Sequence, residues 1–90
     1  MGRYRSKKVK DYMRSVADLG CICCGAIPEL HHPRFNVGMG QRSSDMDVIP
    51  LCPTHHRLGK ISIHLGKKEF IKRFGTEQEL LEKVKRMLDL

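Results

Sequence analysis

The sequence predicts a small α+β domain stabilised by bound metal, and three observations support this fold class. Apolar residues recur at helical spacing near both ends of the chain. Two short apolar segments between them have the length of β-strands. All five histidines and all four cysteines fall within one window of 44 residues in this middle region. Because a chain of 90 residues buries only a limited core, bound metal would supply stability that packing alone does not.

The N-terminal part, residues 1–20, is predicted to be a basic arm followed by a helix. Basic residues dominate the first eight positions, which we expect to form the arm. Apolar residues then return every three or four positions between Ser6 and Leu19, and Gly20 is a natural stop. The opposite face of this helix carries lysine and arginine. The helix therefore brings positive charge up to the first cysteine pair.

Residues 21–75 are predicted to form the central core, beginning with a tight turn at Cys21-x-x-Cys24. Strands are expected near residues 29–32 and 48–51, and Pro50 marks the second as an edge strand or a strand end. The glycine- and serine-containing stretch at residues 33–44 is predicted to be a loop.

Three helices are expected to follow the second strand. Thr54 is predicted to cap a short helix that begins at His55 and that Gly59 ends. A second helix is expected over residues 67–74. The last, within residues 76–90, begins with a Thr-x-x-Glu capping box, and we interpret its apolar stripe as core, with a partner surface as the alternative.

Seventeen lysines and arginines against ten acidic residues give a formal net charge of +7, which suits a polyanionic partner. DNA is the simplest such partner, and a solvated basic surface is the alternative. No motif for reading bases is recognisable. The side chains expected to contact phosphates are Arg3, Arg5, Lys7, Lys8, Lys10, Arg14, Arg34, Arg42, Arg57 and Lys60. No secretory signal or membrane-spanning run is visible, so we expect a cytoplasmic protein without a membrane partner.

The cysteines predict a closed structural zinc site. Cys21 and Cys24 are spaced to present two ligands from one turn, and so are Cys52 and His55. Together the two pairs make a Cys3His tetrahedron, with Cys23 outside it. A disulfide framework is the alternative use of four cysteines.

The remaining histidines predict a second, open site. Neighbouring side chains on a strand point to opposite faces, so His31 and His32 are expected to serve different roles. His56 diverges from its neighbour on a helix in the same way. His31, His56 and His64 then make a three-nitrogen site with an open position, as a catalytic cation needs. A packing or surface role is the alternative for His64.

Taken together, these motifs resemble those of the HNH, or His-Me finger, endonucleases. The order is Cys-x-x-Cys-Gly, His-His, a glycine-rich loop ending in Ser-Asp, and Pro-Leu-Cys-x-x-His-His. It is most similar to the phage Ref-type branch, the RecA-dependent recombination-enhancement nucleases. The resemblance covers roughly residues 21–74. It implies a ββα-metal core with a zinc knuckle, a location in a bacterial host cell and a RecA-like recombinase filament as partner.

The resemblance also implies the roles of the site residues. His32 would be the general base that deprotonates a water, and the second centre would hold Zn²⁺, Mg²⁺ or Mn²⁺. Asp47 stands where the family has an asparagine that steadies the base, whereas the Ref-type branch emphasises the position of Asp45. The sequence leaves open which of the two orients the ring. We therefore expect a DNA endonuclease of little sequence specificity; a non-catalytic zinc module that binds DNA or a recombination partner is the alternative.

Overall fold

The computed structural model describes residues 6–33 and 45–89, and it shows a small α+β fold built around a two-stranded sheet. Three α-helices and two strands lie in these ranges, with a 3₁₀ turn and a short π-helix between them. Their bounds are α1 Lys7–Asp18, β1 Glu29–His31, the 3₁₀ turn Asp45–Asp47, β2 Ile49–Leu51, the π-helix Thr54–Leu58, α2 Lys67–Phe74 and α3 Glu77–Met87.

The two strands pair antiparallel, with Glu29 opposite Leu51 and His31 opposite Ile49. All of β2 is buried. The backbone N–H of Ile22 donates to the carbonyl of Pro50 at 2.9 Å, so the turn after α1 is attached directly to the sheet. Pro50 is thus compatible with this strand, as the sequence predicted, because the sheet has only two strands and a proline needs no ladder donor there.

The buried side chains form two clusters, and α3 contributes one residue to each. The larger cluster joins β2 and the turn after α1 to α2 and α3 and contains Cys21, Ile49, Leu51, Cys52, Ile63, Phe70 and Leu80. The smaller one contains Val16 of α1, Val48 and Val84 of α3. The core interpretation of the C-terminal stripe therefore holds for Leu80 and Val84. It is wrong for Met87, which is half exposed, while the following Leu88 packs against the smaller cluster.

Two of the predicted helix starts are confirmed. The Ser6 hydroxyl accepts from the N–H of Val9 and caps α1. At α3 the Thr76 hydroxyl accepts from the N–H of Glu79, whose carboxylate accepts from the N–H of Thr76, which completes the capping box. This cap fixes where α3 begins.

The prediction that Thr54 caps the short helix after β2 is wrong. Thr54 lies inside the π-helix, because the helical turn already begins at Pro53, whose ring holds φ at −53°. The first strand and helix α2 lie where the sequence placed them. The predicted loop lies, after Pro33, outside the described residues, as does most of the basic arm. None of the described helices is long and apolar enough to cross a membrane.

We expect Thr76→Ala to lower the free energy of unfolding by about 1 kcal/mol, because it removes the side-chain acceptor of the capping box. Thr76→Ser keeps the hydroxyl and should remain close to the wild type. Denaturant unfolding of the wild type and the two variants measures both effects. Equal losses in the two variants would contradict a capping role.

Candidate metal centres

The first centre is a cluster of four side chains whose ligand atoms all lie within 4.8 Å of one another: Cys21, Cys24, Cys52 and His55. The Cys24 and Cys52 sulfurs are 3.7 Å apart, and His55 Nδ1 lies 3.8 Å from the Cys21 sulfur and 3.2 Å from that of Cys52. Tetrahedral zinc with ordinary bond lengths separates neighbouring ligand atoms by about 3.4–3.8 Å. The cluster is therefore compatible with a structural metal such as zinc.

Local backbone geometry presents the first two thiols from one turn. The N–H of Gly25 donates to the carbonyl of Cys21 at 2.8 Å, and the N–H of Cys21 donates to the carbonyl of Ala26 at 2.8 Å. Gly20 has φ +80°, and a side chain there would meet the Gly25 carbonyl oxygen at 2.8 Å. Glycine is required at position 20 for both reasons.

The cysteines are free thiols, so the disulfide framework considered from the sequence is absent. Cys23 stands apart from the cluster: burial, together with the charge of the nearby Cys21 sulfur, raises the pKa of its thiol to about 12. A thiol of such high pKa is a poor metal ligand and a poor nucleophile at neutral pH. The sequence prediction that Cys23 is not a ligand agrees with this position.

The second centre brings together His31, His56 and His64. His56 Nε2 lies 3.2 Å from His31 Nδ1 and 3.2 Å from His64 Nε2. Three imidazole nitrogens around one cation, at bond lengths of about 2.0–2.1 Å, would be separated by about 3.3–3.4 Å. The loop after the π-helix positions His64, whose backbone N–H donates to the carbonyl of His56 at 3.2 Å.

Two carboxylates hold the outward nitrogens of this centre. His31 Nε2 lies 2.6 Å from Glu77, and His56 Nδ1 lies 2.7 Å from Glu29. Since a carboxylate only accepts, each neutral imidazole carries its proton on the outward nitrogen. The inward nitrogens of His31 and His56 then face each other with lone pairs at 3.2 Å. Such an arrangement is repulsive unless a metal cation, or a proton on one of the rings, lies between them.

Glu29 remains ionised because the Arg57 guanidinium donates two hydrogen bonds to its carboxylate, of 3.0 and 2.7 Å. These bonds, followed by the one to His56, lower the pKa of the Glu29 carboxyl to about 2. Arg57, which the sequence assigned to phosphate contact, is thus already paired with a carboxylate in the structure. Its guanidinium helps to keep a charged acceptor on His56.

His32 turns away from its neighbour, as expected of adjacent residues, and its Nε2 lies 2.8 Å from a carboxylate oxygen of Asp45. Of the two candidate aspartates, it is Asp45 that contacts the ring. Asp45 is buried, and the 3₁₀ turn that carries it is anchored by Lys85, whose ammonium donates to the carbonyl of Met46 at 2.8 Å. The contact leaves His32 Nδ1 as the nitrogen that can accept a proton.

A recess of about 210 Å³ adjoins the second centre. Its lining consists of His31, Ile63, His64, Lys67 and Glu77. Two metal-ligating candidates are therefore reachable from solvent through an opening that also carries a lysine. A metal in the first centre would leave no coordination position open to a substrate, because four side chains complete a tetrahedron.

Apart from Arg57, which pairs with Glu29, the basic residues assigned to phosphate contact divide into two groups. Those on α1 and after the π-helix are exposed, as the predicted charged face requires: Lys7, Lys8, Lys10, Arg14 and Lys60. The others lie outside the described residues: Arg3, Arg5, Arg34 and Arg42.

Sequence reasoning missed three supporting residues, Glu29, Glu77 and Lys85. Glu29 carried a usable signal, because it precedes His31 by two positions and shares its side of the strand. Glu77 and Lys85 had no recognisable signal in the sequence. They act on groups 46 and 39 positions away, and that proximity exists only in the folded chain.

Cys21→Ser should abolish zinc binding at the first centre and unfold the domain, because metal binding there contributes on the order of the 5–15 kcal/mol stability of a small protein. Cys23→Ser is the matched control, since it makes the same exchange outside the cluster and should retain the metal. Elemental analysis and circular dichroism before and after chelation measure both effects. A folded, metal-free Cys21→Ser protein would contradict a structural role.

Comparison with known proteins places nearly the whole chain in one family. Residues 2–90 match the family described as "Protein of unknown function (DUF968)". The chain is also 33% identical over 81 residues to "Uncharacterized protein YdfU" of Escherichia coli (strain K12), in an alignment that covers 86% of this chain and 22% of that protein. It thus spans only about a fifth of that relative's length. The chain, with its paired cysteine and histidine centres, belongs to the DUF968 family.

Proposed function

We propose that this chain is a metal-dependent endonuclease of HNH type that hydrolyses phosphodiester bonds in DNA. The observation that carries the proposal is that the two neighbouring imidazoles, His31 and His32, contact different groups. His31 joins a three-nitrogen cluster, while His32 joins a carboxylate. A bound cation and a proton-accepting group close to each other can together promote hydrolysis of a phosphodiester.

In this proposal His31, His56 and His64 hold a divalent cation, with Zn²⁺, Mg²⁺ and Mn²⁺ as candidates. When bound, the cation supplies Lewis-acid stabilisation of the charge that develops on the phosphate and the leaving 3′ oxygen. The two outward carboxylates support the site by fixing the ring orientations and the protonation of His31 and His56. Three protein ligands leave coordination positions for substrate and water.

His32 is the proposed general base. With its Nε2 proton donated to Asp45, its Nδ1 lone pair accepts a proton from water as the water oxygen bonds to phosphorus. The bond from phosphorus to the 3′ oxygen breaks, and the leaving oxygen takes a proton from solvent. Asp45 stabilises the imidazolium that results, because its buried carboxylate faces the charged ring at 2.8 Å.

DNA would be held through its phosphates by the exposed lysines and arginine on α1. Contacts of this kind position a duplex without reading its sequence, which agrees with the low specificity that we propose. A non-catalytic zinc module that binds DNA is the second candidate. The Cys3His cluster and the basic helix would suffice for such a binding module. A binding module, however, gives no role to the buried Asp45 carboxylate that contacts His32.

The first test is nicking of supercoiled plasmid with Mg²⁺ or Mn²⁺. We expect His32→Ala to reduce the cleavage rate by about 10²- to 10⁴-fold, the usual worth of a general base, while the protein remains folded. Cys23→Ser serves as a control for substitution as such. Equal cleavage by wild type and His32→Ala would reject the base, and no cleavage by the wild type would favour the binding module.

The second test separates the two aspartates. Asp45→Asn should lower the rate by at least about 100-fold, because the amide can donate to Nε2 and so force the proton onto Nδ1, the atom that must accept one. Asp47→Asn makes the same chemical change on a side chain without that contact and should cleave nearly as well as the wild type. The opposite ranking would assign the ring's support to Asp47.

A further inference from the structure

We infer that Glu77 is a positioning residue of the His31, His56 and His64 centre, so that α3 is part of the metal site and not only a packing helix. The inference rests on the divalent cation proposed above. It goes beyond the resemblance considered earlier, which ends before this helix. It adds a C-terminal element to a site otherwise built from the sheet and the segment after it.

The contact between Glu77 and His31 is short and shielded from solvent. The carboxylate oxygen and His31 Nε2 are 2.6 Å apart, and both side chains are nearly buried, with 8% and 4% of their surfaces exposed. The second carboxylate oxygen faces Lys67 Nζ at 3.4 Å. Glu77 is therefore bridged between a candidate metal ligand and a cation at the rim of the recess.

A packing role does not account for a carboxylate at this position. Burying an ionised carboxylate is costly unless it is paired, and an apolar side chain of similar size would fill the space without that penalty. Two features favour the charge here. Glu77 lies in the first turn of α3, where the helix dipole stabilises negative charge, and the capping box at Thr76 fixes that turn.

The effect of Glu77 on the site follows from its contact with His31 Nε2. Its oxygen keeps the proton of His31 on Nε2, which directs the Nδ1 lone pair at His56 and His64. It also prevents rotation of the ring and makes the imidazole a more basic ligand. Glu29 does the same for His56 from within β1, so the two inward nitrogens are oriented by carboxylates from separate elements.

Binding of Co²⁺ to protein whose cysteine centre is already loaded with zinc tests the inference. Co²⁺ binds such sites less tightly than zinc does, so it should occupy the histidine centre without displacing the structural metal. Its visible absorption spectrum reports the ligand geometry directly, and titration gives the affinity. We expect Glu77→Gln to weaken Co²⁺ binding roughly 10- to 100-fold and to alter the spectrum.

Glu82→Gln is the matched control, because it removes the same charge from an exposed position of α3 and should bind Co²⁺ like the wild type. Glu77→Asp covers the case in which Glu77→Gln does not fold. It keeps the charge at the helix start but is one methylene too short for the contact, so weakened binding is expected again. Wild-type affinity and spectrum in a folded Glu77 variant would overturn the inference.

The outcome is separable from that of the proposed function. If the wild type binds Co²⁺ but does not cleave DNA with Mg²⁺ or Mn²⁺, the nuclease proposal fails while the affinities still decide the role of Glu77. If the variants bind as the wild type does and cleavage occurs, only the role of Glu77 fails. A wild type that takes up no second cation overturns both.

Discussion

The cluster of three thiols and one imidazole is the constraint on which the rest of the structure depends. Its members come from the turn after α1, the end of β2 and the π-helix, segments that the small apolar clusters alone hold only weakly. The cluster joins the turn after α1 to the end of β2 and to the π-helix. Because His55 lies in that helix, the same constraint fixes the position of its neighbour His56.

Adjacency is the means by which one short chain serves two centres. In the first doublet His55 faces the cysteine sulfurs, while His56 faces the other two histidines of the second centre. In the second doublet His31 faces that same centre, while His32 faces Asp45. Each doublet thus connects two environments through a single peptide bond. This arrangement couples the geometry of the proposed reactive groups to a rigid scaffold, as a preorganised site needs.

The sequence predicted the parts of this arrangement that depend on local spacing. Both Cys/His clusters follow from intervals within turns and doublets, the start of α1 near Ser6 follows from apolar periodicity, and the start of α3 follows from the capping box at Thr76. Thr54 was misplaced because the conformational preference of the preceding proline outweighed its capping preference.

The parts that the sequence could not give depend on tertiary contacts. The choice between Asp45 and Asp47 required knowing which side of the 3₁₀ turn faces His32. Nothing near Glu77 in the chain indicates that α3 reaches the centre, since only the packing of Leu80 and Val84 brings its first turn there. Met87 is half exposed, whereas the next residue, Leu88, packs against the smaller cluster, so the sequence stripe did not show which of its last members is buried.

The strand that carries His31 is only three residues long, and its alignment with β2 decides which imidazole faces which environment. Side chains alternate along a strand, so a slip by a single position would exchange the two members of the doublet and carry Glu29 to the opposite face. The backbone hydrogen bond from Ile22 to Pro50 attaches the turn after α1 to the partner strand β2. In this chain the alignment of two short strands thus decides which of two chemically identical neighbours reaches the histidine cluster and which reaches Asp45.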